Sequence, residues 1–260
     1  MTSFPRYPIL GSWVDSLDRA EFLSAIRTAA LEHRRYMVLN HNMHSLALCQ
    51  TDEPFRQYFE RADMIFIDGS PVVAVARFLG QPITFEDRHA VLDWFWPLLD
   101  TAADDRLRVL HVGSHDEVTA RARNRIAARR PKVDFVTLTG FFDQTPGSAG
   151  SDQMIRDITD AAPDIILLGF GMPRQEHWLA AVYDQLPACP IITVGGILGF
   201  IGDERPPAPR WMGRFGIEWT WRLATEPRRL WRRYLVEPWV LVRPFGRELA
   251  ERRRSARKPG

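Results

Sequence analysis

An acidic residue at the end of a short apolar run is the clearest candidate for chemistry in this sequence. The run at 64–67 is followed by Asp68, a glycine, Ser70 and Pro71. It predicts a buried parallel strand, with Ser70 as N-cap and Pro71 as first residue of a helix reaching about Leu79. Open α/β sheets bind ligands at the carboxyl ends of their strands, and a helix N-terminus favours an ionised carboxylate. Asp68 therefore either acts as a general base or only caps a turn.

Two further apolar runs end in residues that suit a polar ligand. Asn40 and Asn42 follow the run at 36–39, and their side-chain amides can bond a hydroxyl-rich ligand. Gly169 and Gly171 follow another run, where backbone N–H groups can approach a phosphate at a helix N-terminus. Both pairs can equally form ordinary turns, and Gly-x-Gly falls short of the complete dinucleotide-binding fingerprint.

The remaining polar residues near these strand ends exclude several kinds of site. Gln175 and Glu176 can bond hydroxyl groups of a sugar or a base, or they can form a solvated first helical turn. His41 and His44 lack zinc-protease spacing, and no two aspartates stand two residues apart, so we predict no metal and no cofactor. The absence of Gly-x-Ser-x-Gly argues against an α/β hydrolase, and the lone Asp68 argues against phosphatases that use an aspartate pair.

The elements that would hold these residues alternate between strand and helix, which predicts an α/β fold with a Rossmann-like, mostly parallel sheet flanked by helices. Residues 1–16 are predicted to be irregular, and the end from 252 onward to be a frayed tail. The predicted strands are 36–39, 64–67, 108–112, 133–138, 164–168 and 191–194. The predicted helices are 18–34, 43–61 with a break near 52–54, 71–79, 90–101, 116–130, 152–161, 174–185, 217–224 and 226–235.

Charge and tryptophan are concentrated at the end of the chain. Residues 205–260 hold 15 Lys and Arg against 5 Asp and Glu, whereas residues 1–204 hold 19 against 27. Five of the nine tryptophans also lie in the last 56 residues. We therefore predict an α/β catalytic domain at 1–204 and a helical appendage at 205–260, joined by a stiff connector at 206–209. Such an appendage can bind an anionic membrane surface, a nucleic acid or a polyphosphate.

Composition fits a protein that works in the cytoplasm. Two cysteines form neither a disulfide framework nor a zinc pattern, which fits a reducing compartment. The longest mainly apolar stretch, 190–202, is too short to cross a bilayer, and the N-terminus lacks a signal layout. We expect a soluble or peripheral protein.

Short blocks of sequence between about residues 36 and 236 form a pattern that can be compared with known families. These blocks are Asn40-His41-Asn42, Ala62-Asp63, Ile67-Asp68-Gly69, Gly140-Phe141-Phe142, Leu168 to Glu176, Val194-Gly195-Gly196, Ala208 to Met212, Glu218-Trp219, Arg222-Leu223, Glu226 to Leu230 and Arg232 to Leu235. Together they resemble the WecG/TagA/CpsF glycosyltransferases. The family implies an inverting, metal-independent transfer of a sugar from a UDP-sugar to a polyprenyl-diphosphate-linked acceptor. The reaction takes place at the inner face of the cytoplasmic membrane, in bacterial exopolysaccharide or cell-surface glycan synthesis.

The resemblance also implies roles for individual residues. Asp68 is the proposed base, Asn40 and Asn42 form a polar pair, and Gln175 contacts substrate. The arginines of the appendage complete the site and help to hold the membrane. The residues that we predict for the site are Asp68 as catalytic base, with Asn40, Asn42, Gly69, Arg88, Gly113, Gly169, Gly171, Met172, Pro173, Gln175, Glu176, Gly195, Gly196, Arg222, Arg229 and Arg232 binding substrate.

Two departures from the family pattern leave the donor sugar open. Residues 88–93 read Arg-His-Ala-Val-Leu-Asp where the family usually has Arg-Val-x-Gly-Ser/Thr-Asp, and Leu198-Gly199 stand where many members have an aspartate. The donor is therefore either glucose or an N-acetylmannosamine-type sugar.

Composition and motifs also bear on other partners and functions. We expect no nucleic-acid partner, because the body is acidic and the aromatic residues of the appendage suit a bilayer interface. A homo-oligomer is possible. The competing functions are a membrane-docked nucleotide-binding scaffold without catalysis and an NAD-dependent oxidoreductase.

Overall fold

The structure, a computed structural model, describes residues 4–203, 208–209, 211–212 and 216–255. The predicted connector at 206–209 lies partly outside these ranges, and the end of the predicted tail at 256–260 lies wholly outside them. Residues 4–203 are called the body, and residues 216–255 are called the C-terminal segment.

A six-stranded parallel sheet forms the centre of the body, which confirms the predicted fold class. Its strand order is β4-β3-β8-β7-β5-β6, and a separate antiparallel pair, β1-β2, precedes it. In the described ranges the strands are β1 (Arg6–Ile9), β2 (Ser12–Asp15), β3 (Tyr36–His41), β4 (Met64–Ile67), β5 (Arg108–Gly113), β6 (Asp134–Leu138), β7 (Ile165–Gly169) and β8 (Pro190–Thr193).

Most helices match the predicted ones, but α9 and α12 were not predicted. In the described ranges the α-helices are α1 (Arg19–Leu31), α2 (Met43–Thr51), α3 (Glu53–Glu60), α4 (Ser70–Phe78), α5 (Val91–Asp105), α6 (Asp116–Arg129), α7 (Ala149–Asp160), α8 (Arg174–Val182), α9 (Ile197–Ile201), α10 (Glu218–Thr225), α11 (Pro227–Trp231) and α12 (Val242–Ser255). A π-helical turn, Arg232–Val236, and a 3₁₀-helix, Glu237–Leu241, connect α11 to α12.

Apolar side chains cover both faces of the sheet. Val38 points to the face covered by α1, α5, α6 and α9, whereas Met37 and Leu39 point to the face covered by α3, α7 and α8. Trp94 and Trp178 are the largest buried side chains of these two layers. Burial on both faces explains why the strands form continuous apolar runs instead of alternating patterns.

The predicted helix break near 52–54 is confirmed, and it is produced by capping. Helix α2 begins after Asn42, whose Oδ1 accepts the N–H groups of His44 and Ser45 at 3.0 and 3.2 Å. Asp52 ends this helix and caps the next, because its Oδ1 accepts the N–H of Phe55 at 3.0 Å. Local side-chain acceptors therefore fix where both helices begin.

The prediction of an irregular chain at 1–16 is wrong for residues 6–15, which form the β1-β2 hairpin, and its first three residues lie outside the described ranges. Leu10 and Gly11 form its turn with φ of +49° and +78°, as a two-residue hairpin turn requires. Asp15 bonds Arg6 at 2.7 Å and also accepts the N–H of Ile65 at 2.7 Å, which attaches the hairpin to β4. The prolines in this stretch suggested irregular chain, but an edge strand tolerates proline.

The C-terminal segment is helical almost throughout and packs on the body. The expectation of a frayed tail from 252 is wrong for residues 252–255, which continue α12. Leu241 is buried in an apolar cluster with the hairpin, α2 and α4, to which Phe245 and Leu249 add partly buried side chains. Glu248 accepts the N–H of Leu10 at 2.7 Å. These contacts place the segment beside the edge of the sheet formed by β4.

No helix in the described ranges combines the length and the apolar composition that crossing a membrane requires.

Candidate active site

Asp68 lies at the carboxyl end of β4, as predicted, and its side chain is half-buried. Its backbone N–H donates to the carbonyl of His41 at 3.0 Å, and its carboxylate accepts the N–H of Val91, the first residue of α5. The N-terminus of α5 therefore favours the ionised carboxylate, in addition to the N-terminus of the following helix that the sequence predicts. The residue as a whole keeps part of its surface exposed, while protein atoms enclose most of its carboxyl group.

The predicted cap of helix α4 is corrected by the structure. Gly69 is the N-cap and makes no side-chain bond, so Ser70 is already helical. The Ser70 hydroxyl instead accepts a hydrogen bond from Nη1 of Arg88 at 2.7 Å. The serine therefore positions an arginine next to the site.

Burial and three arginines have opposite effects on the pKa of Asp68. Burial raises the pKa of the Asp68 carboxyl above its ordinary value, and Arg222, Arg88 and Arg233 act in the opposite direction. A carboxylate whose pKa is raised is a stronger base than an exposed aspartate. The geometry therefore suits proton abstraction.

Arg88 joins the body to the C-terminal segment. Its guanidinium contacts Glu218 of α10 at 3.2 Å and Asp93 of α5 at 3.7 Å, and its side chain is only 8% exposed. Because Arg88 is surrounded by acceptors of both regions, its placement depends on the docked segment.

The predicted pair Asn40 and Asn42 is present at the end of β3, next to Asp68, but much of its hydrogen-bonding capacity is used internally. Asn40 is buried, and its Nδ2 donates to the carbonyl and the hydroxyl of Thr193 at 2.9 and 3.2 Å. Asn42 Oδ1 caps α2 and also accepts from Nη2 of Arg233 at 3.2 Å. Within the described part of the chain, these bonds leave Asn40 Oδ1 and Asn42 Nδ2 as the amide atoms that remain for a ligand.

The predicted glycines form a close-packed floor at the carboxyl edge of the sheet. A Cβ on Gly169 would lie 2.5 Å from the carbonyl oxygen of Gly195 and 2.5 Å from Nε2 of His111. A Cβ on Gly113 would lie 2.6 Å from the backbone of Gly169, and one on Gly140 would lie 2.7 Å from Gly113. Neighbouring strand ends can approach this closely only because none of these residues has a side chain.

The loop after β7 is folded on itself. Gly171, at φ +102°, donates its N–H to Oε1 of Gln175 at 2.9 Å, and Gln175 Nε2 donates to Glu176 Oε1 at 2.8 Å. Gln175 is 1% exposed, so its amide is engaged within the protein and does not face a ligand in this conformation. Of the other residues predicted here, Met172 packs against the core and Pro173 caps α8.

Glu176 is a fully buried carboxyl at the start of α8. Burial raises its pKa to about 7, against smaller opposing contributions that include the bond from Gln175 and the charge of Arg233. Its second oxygen, Oε2, has no hydrogen-bond partner within the described ranges. Of the two interpretations of the sequence, the solvated helical turn is therefore excluded, because this side chain is buried.

The predicted arginines of the C-terminal segment separate into two groups. The charge of Arg222 acts on Asp68, and its guanidinium carbon lies 5.8 Å from the ring centre of Phe200. Arg229 bonds Glu226 at 2.6 Å with its side chain half exposed, and Arg232 is exposed beside Trp231. Neither Arg229 nor Arg232 is among the described arginines whose charge acts on Asp68.

Arg233, in the block from Arg232 to Leu235 that carries the family resemblance, is not among the residues that we predict to bind substrate. On one continuous helix Arg222, Arg229 and Arg233 would share a face, since they are 7 and 4 residues apart. The helix instead ends at Thr225 and restarts at Pro227, which turns Arg229 outward while Arg233 reaches Asn42. The helix break was visible in the sequence, but the direction of the turn was not.

An aromatic platform lies at the far end of the same edge. Phe141, after β6, stacks on His115, after β5, with ring centres 3.9 Å apart and planes inclined by 18°. Phe141 is 58% exposed, so one face of the pair is open to a planar ligand. Gly196, also predicted for the site, caps α9 at the end of β8, between this platform and Asp68.

The chain is similar to known proteins over most of its length. Residues 7–255 match the glycosyl transferase WecG/TagA/CpsF family. A relative from Bacillus spizizenii, named N-acetylglucosaminyldiphosphoundecaprenol N-acetyl-beta-D-mannosaminyltransferase, is 26% identical over 232 residues, covering 85% of this chain and 87% of the relative. A Staphylococcus aureus relative of the same name is 24% identical over 226 residues, or 86% of each chain. Since the family match covers almost the whole chain, the protein belongs to the WecG/TagA/CpsF family and is a glycosyltransferase.

Proposed function

We propose that the protein transfers a hexose from a UDP-sugar to a polyprenyl-diphosphate-linked acceptor, with inversion at the anomeric carbon and Asp68 as base. The observation that carries the proposal is the half-buried Asp68 carboxylate at the sheet edge, facing arginines of the C-terminal segment. The names of the two relatives support this acceptor class, because both specify a diphosphoundecaprenol-linked N-acetylglucosamine.

The chemistry follows from the positions of the charged groups. Asp68 takes the proton of an acceptor hydroxyl, whose oxygen attacks the anomeric carbon of the donor from the face opposite the nucleotide. The bond to the UDP oxygen breaks, and negative charge accumulates on the departing diphosphate. Arg222 lies close enough to act on Asp68 and can stabilise that charge in the same space.

The nucleotide would lie along the carboxyl edge of the sheet. We place its planar base on the exposed face of Phe141, and its diphosphate toward the C-terminal arginines. The raised pKa of Asp68 supports its assignment as the base.

The outer side of the C-terminal segment supports a membrane location. Trp231, Leu235, Val236 and Trp239 are exposed in a region that also carries exposed Arg228 and Arg232. Aromatic rings and arginines together suit the interface of an anionic bilayer. We propose that this side docks on the inner face of the cytoplasmic membrane, where a lipid-linked acceptor is held.

The donor sugar is the open part of the proposal. The relatives are named for transfer of N-acetylmannosamine, whereas the departures at 88–93 and 198–199 leave glucose as the other candidate. Both are hexose-based donors that the same base and the same arginines would serve.

A donor screen tests the function. The full-length protein is mixed with vesicles containing polyprenyl-diphosphate-linked N-acetylglucosamine and one UDP-sugar at a time, and released UDP is measured. We expect UDP release from one donor only when the acceptor is present, and nuclear magnetic resonance of the product should show the inverted anomeric configuration.

Other outcomes would replace the proposal. Vesicle and UDP binding without release from any UDP-sugar would favour the non-catalytic scaffold. A change of NADH fluorescence on mixing would favour the oxidoreductase.

A further inference from the structure

The loop after β7 is bonded to the first turn of α8 at three points. Nη2 of Arg174 donates to the carbonyl of Phe170 at 2.9 Å, and the N–H of Gln175 donates to the carbonyl of Gly171 at 3.1 Å. The third bond comes from a side chain, because Gln175 Oε1 accepts the N–H of Gly171 at 2.9 Å. Gly171 is at φ +102°, and glycine has more backbone freedom than any other residue. The side chain of Gln175 therefore restrains the least constrained residue of the loop.

Glu176 determines which end of the Gln175 amide faces Gly171. A side-chain amide has an acceptor oxygen at one end and a donor nitrogen at the other. Glu176 Oε1 accepts from Gln175 Nε2 at 2.8 Å, so the amide oxygen is the end that meets the N–H of Gly171. Gln175 and Glu176 are 1% and 0% exposed, so in this conformation the pair acts on the loop and not on a ligand.

Stability alone does not account for a carboxyl group at position 176. Oε2 of Glu176 is buried and has no hydrogen-bond partner in the described ranges, which is costly for a polar atom. An apolar side chain of similar length would avoid this cost, but it could not accept the hydrogen bond from Gln175. Proteins retain costly buried groups of this kind mainly at functional sites. The bond to Gln175 therefore indicates what the carboxyl group is for.

The loop that the pair restrains lies in the middle of the candidate site. In the sheet, β7 is flanked by β8 and β5, so its end lies between Asp68, which follows β4, and Phe141, which follows β6. A nucleotide placed along this edge would cross the loop. The N–H groups of Met172 and Arg174 have no acceptor in the described part of the chain, and their directions depend on the conformation of Gly171.

We propose that Glu176 is a positioning residue, which orients Gln175 so that Gly171 and its loop keep the conformation that binds the nucleotide. Gln175 then acts inside the protein, which differs from the substrate contact that the family resemblance implies for it. The inference rests on the proposed function for the identity of the nucleotide. The effect on the loop, however, can be measured without any ligand.

The first test is hydrogen exchange of the loop amides in the full-length protein without ligand, measured by mass spectrometry of peptides that cover residues 169–174. Glu176→Met removes the acceptor, and we expect the loop amides to exchange about 10-fold faster. Glu176→Gln keeps an acceptor oxygen and should exchange as the wild type does. Ser151→Ala is the matched control, because it removes a buried acceptor from Trp178 of the same helix and should leave the loop unchanged.

The second test is UDP binding by calorimetry with the same proteins and with Gln175→Met. We expect Glu176→Met and Gln175→Met each to weaken binding about 3- to 10-fold. The double variant should bind no more weakly than either single variant, since both substitutions break the same chain of hydrogen bonds. Glu176→Gln and Ser151→Ala should keep the affinity of the wild type.

Unchanged loop exchange in Glu176→Met would overturn the proposal. So would weaker UDP binding in Gln175→Met with wild-type affinity in Glu176→Met, because this result would mean that Gln175 contacts the nucleotide directly. If Glu176→Met does not fold, exchange in Gln175→Met decides, and a wild-type rate would count against the proposal. Faster exchange and weaker UDP binding without sugar transfer from any donor would instead refute the proposed function and leave this inference standing.

Discussion

The body and the C-terminal segment are held by different forces. In the body, apolar clusters on both faces of the sheet bury side chains as large as Trp94 and Trp178. In the C-terminal segment, Leu230 and Leu241 are the buried apolar side chains among the described residues, while Trp231, Leu235 and Trp239 face outward. The segment therefore contributes little to the core and depends on contacts with other surfaces.

Polar contacts attach the segment at several points. Arg88 reaches Glu218, Arg233 reaches Asn42, His44 reaches Glu237, and the N–H of Leu10 reaches Glu248. Each such contact adds on the order of 1 kcal/mol and is sensitive to charge and salt. The body therefore fixes the position of Asp68, whereas the segment supplies arginines whose positions depend on the charge of their partners and on salt.

The largest expected effect concerns the body. Asp68→Asn should lower sugar transfer by roughly 10²- to 10⁴-fold, because the amide cannot take the acceptor proton. UDP affinity should stay the same or increase, since a negative charge beside the diphosphate is removed. Steady-state kinetics and calorimetry on the same preparation check both expectations.

Asp152→Asn, on the first turn of α7, is the matched control and should leave transfer unchanged. Near-normal turnover in Asp68→Asn would contradict the role of this residue as base. If Asp68→Asn lost UDP binding together with turnover, proton abstraction by the body and nucleotide binding by the segment could not be treated as separate roles.

The next effect concerns Glu176, at the boundary between the two regions. Its folded pKa of about 7 exceeds the ordinary value of 4.5, so the folded state holds this proton more tightly than the unfolded state. The free energy of unfolding should therefore fall as the pH rises from about 4.5 to about 7, and no further above that. Glu176→Gln should remove this decline and be more stable than wild type at pH 8 by roughly 3 kcal/mol.

Urea unfolding at pH 5 and pH 8 measures this difference. Glu117→Gln, exposed on α6, serves as a control that should keep the decline of the wild type. An identical decline in Glu176→Gln would show that another group controls it.

A smaller effect is expected from the outer side of the C-terminal segment. Trp239 is 75% exposed, and burying it in a bilayer interface is worth roughly 1.5–3 kcal/mol. Trp239→Ala should weaken binding to anionic vesicles about tenfold in a sedimentation assay. Leu31→Ala, an exposed apolar residue of the body, should bind vesicles as the wild type does; equal losses in both variants would argue against a specific docking side.

The smallest expected effect is at the aromatic platform. Phe141→Ala should reduce UDP affinity about 2- to 10-fold, the value of one stacking interaction. Pyrophosphate affinity should be unaffected, because the platform would contact only the base. Calorimetry with both ligands makes this comparison, and equal loss for both would place the diphosphate, not the base, near Phe141.

The sequence was sufficient for most of the body, because buried parallel strands leave a strong local signal. The run at 64–67 and the run at 165–168 both became strands flanked by helices. The hairpin at residues 6–15 was missed, since its stability comes from Asp15 bonding Ile65, 50 residues away. No local pattern contains that contact.

The candidate site was less predictable than the fold, for a similar reason. Asp68 could be located from the end of its strand, but the state of Gln175 depends on how its loop folds back to Gly171. Arg233 could be distinguished from the other arginines of the C-terminal segment only once the break between α10 and α11 had set the direction of the chain. Side-chain direction in an irregular turn follows from tertiary packing, which a single sequence does not display.

The glycine floor limits how this enzyme can be redesigned. Even a methyl group at Gly113, Gly140 or Gly169 would overlap neighbouring backbone, which cannot move without separating the strands. Mutating the bottom of the cleft is therefore a poor route to new sugar preferences. Substitutions that change the sugar preference would have to be made in the walls of the cleft, namely at the start of α5 and in the helices of the C-terminal segment. A new side chain there contacts other side chains, which can change conformation to accommodate it.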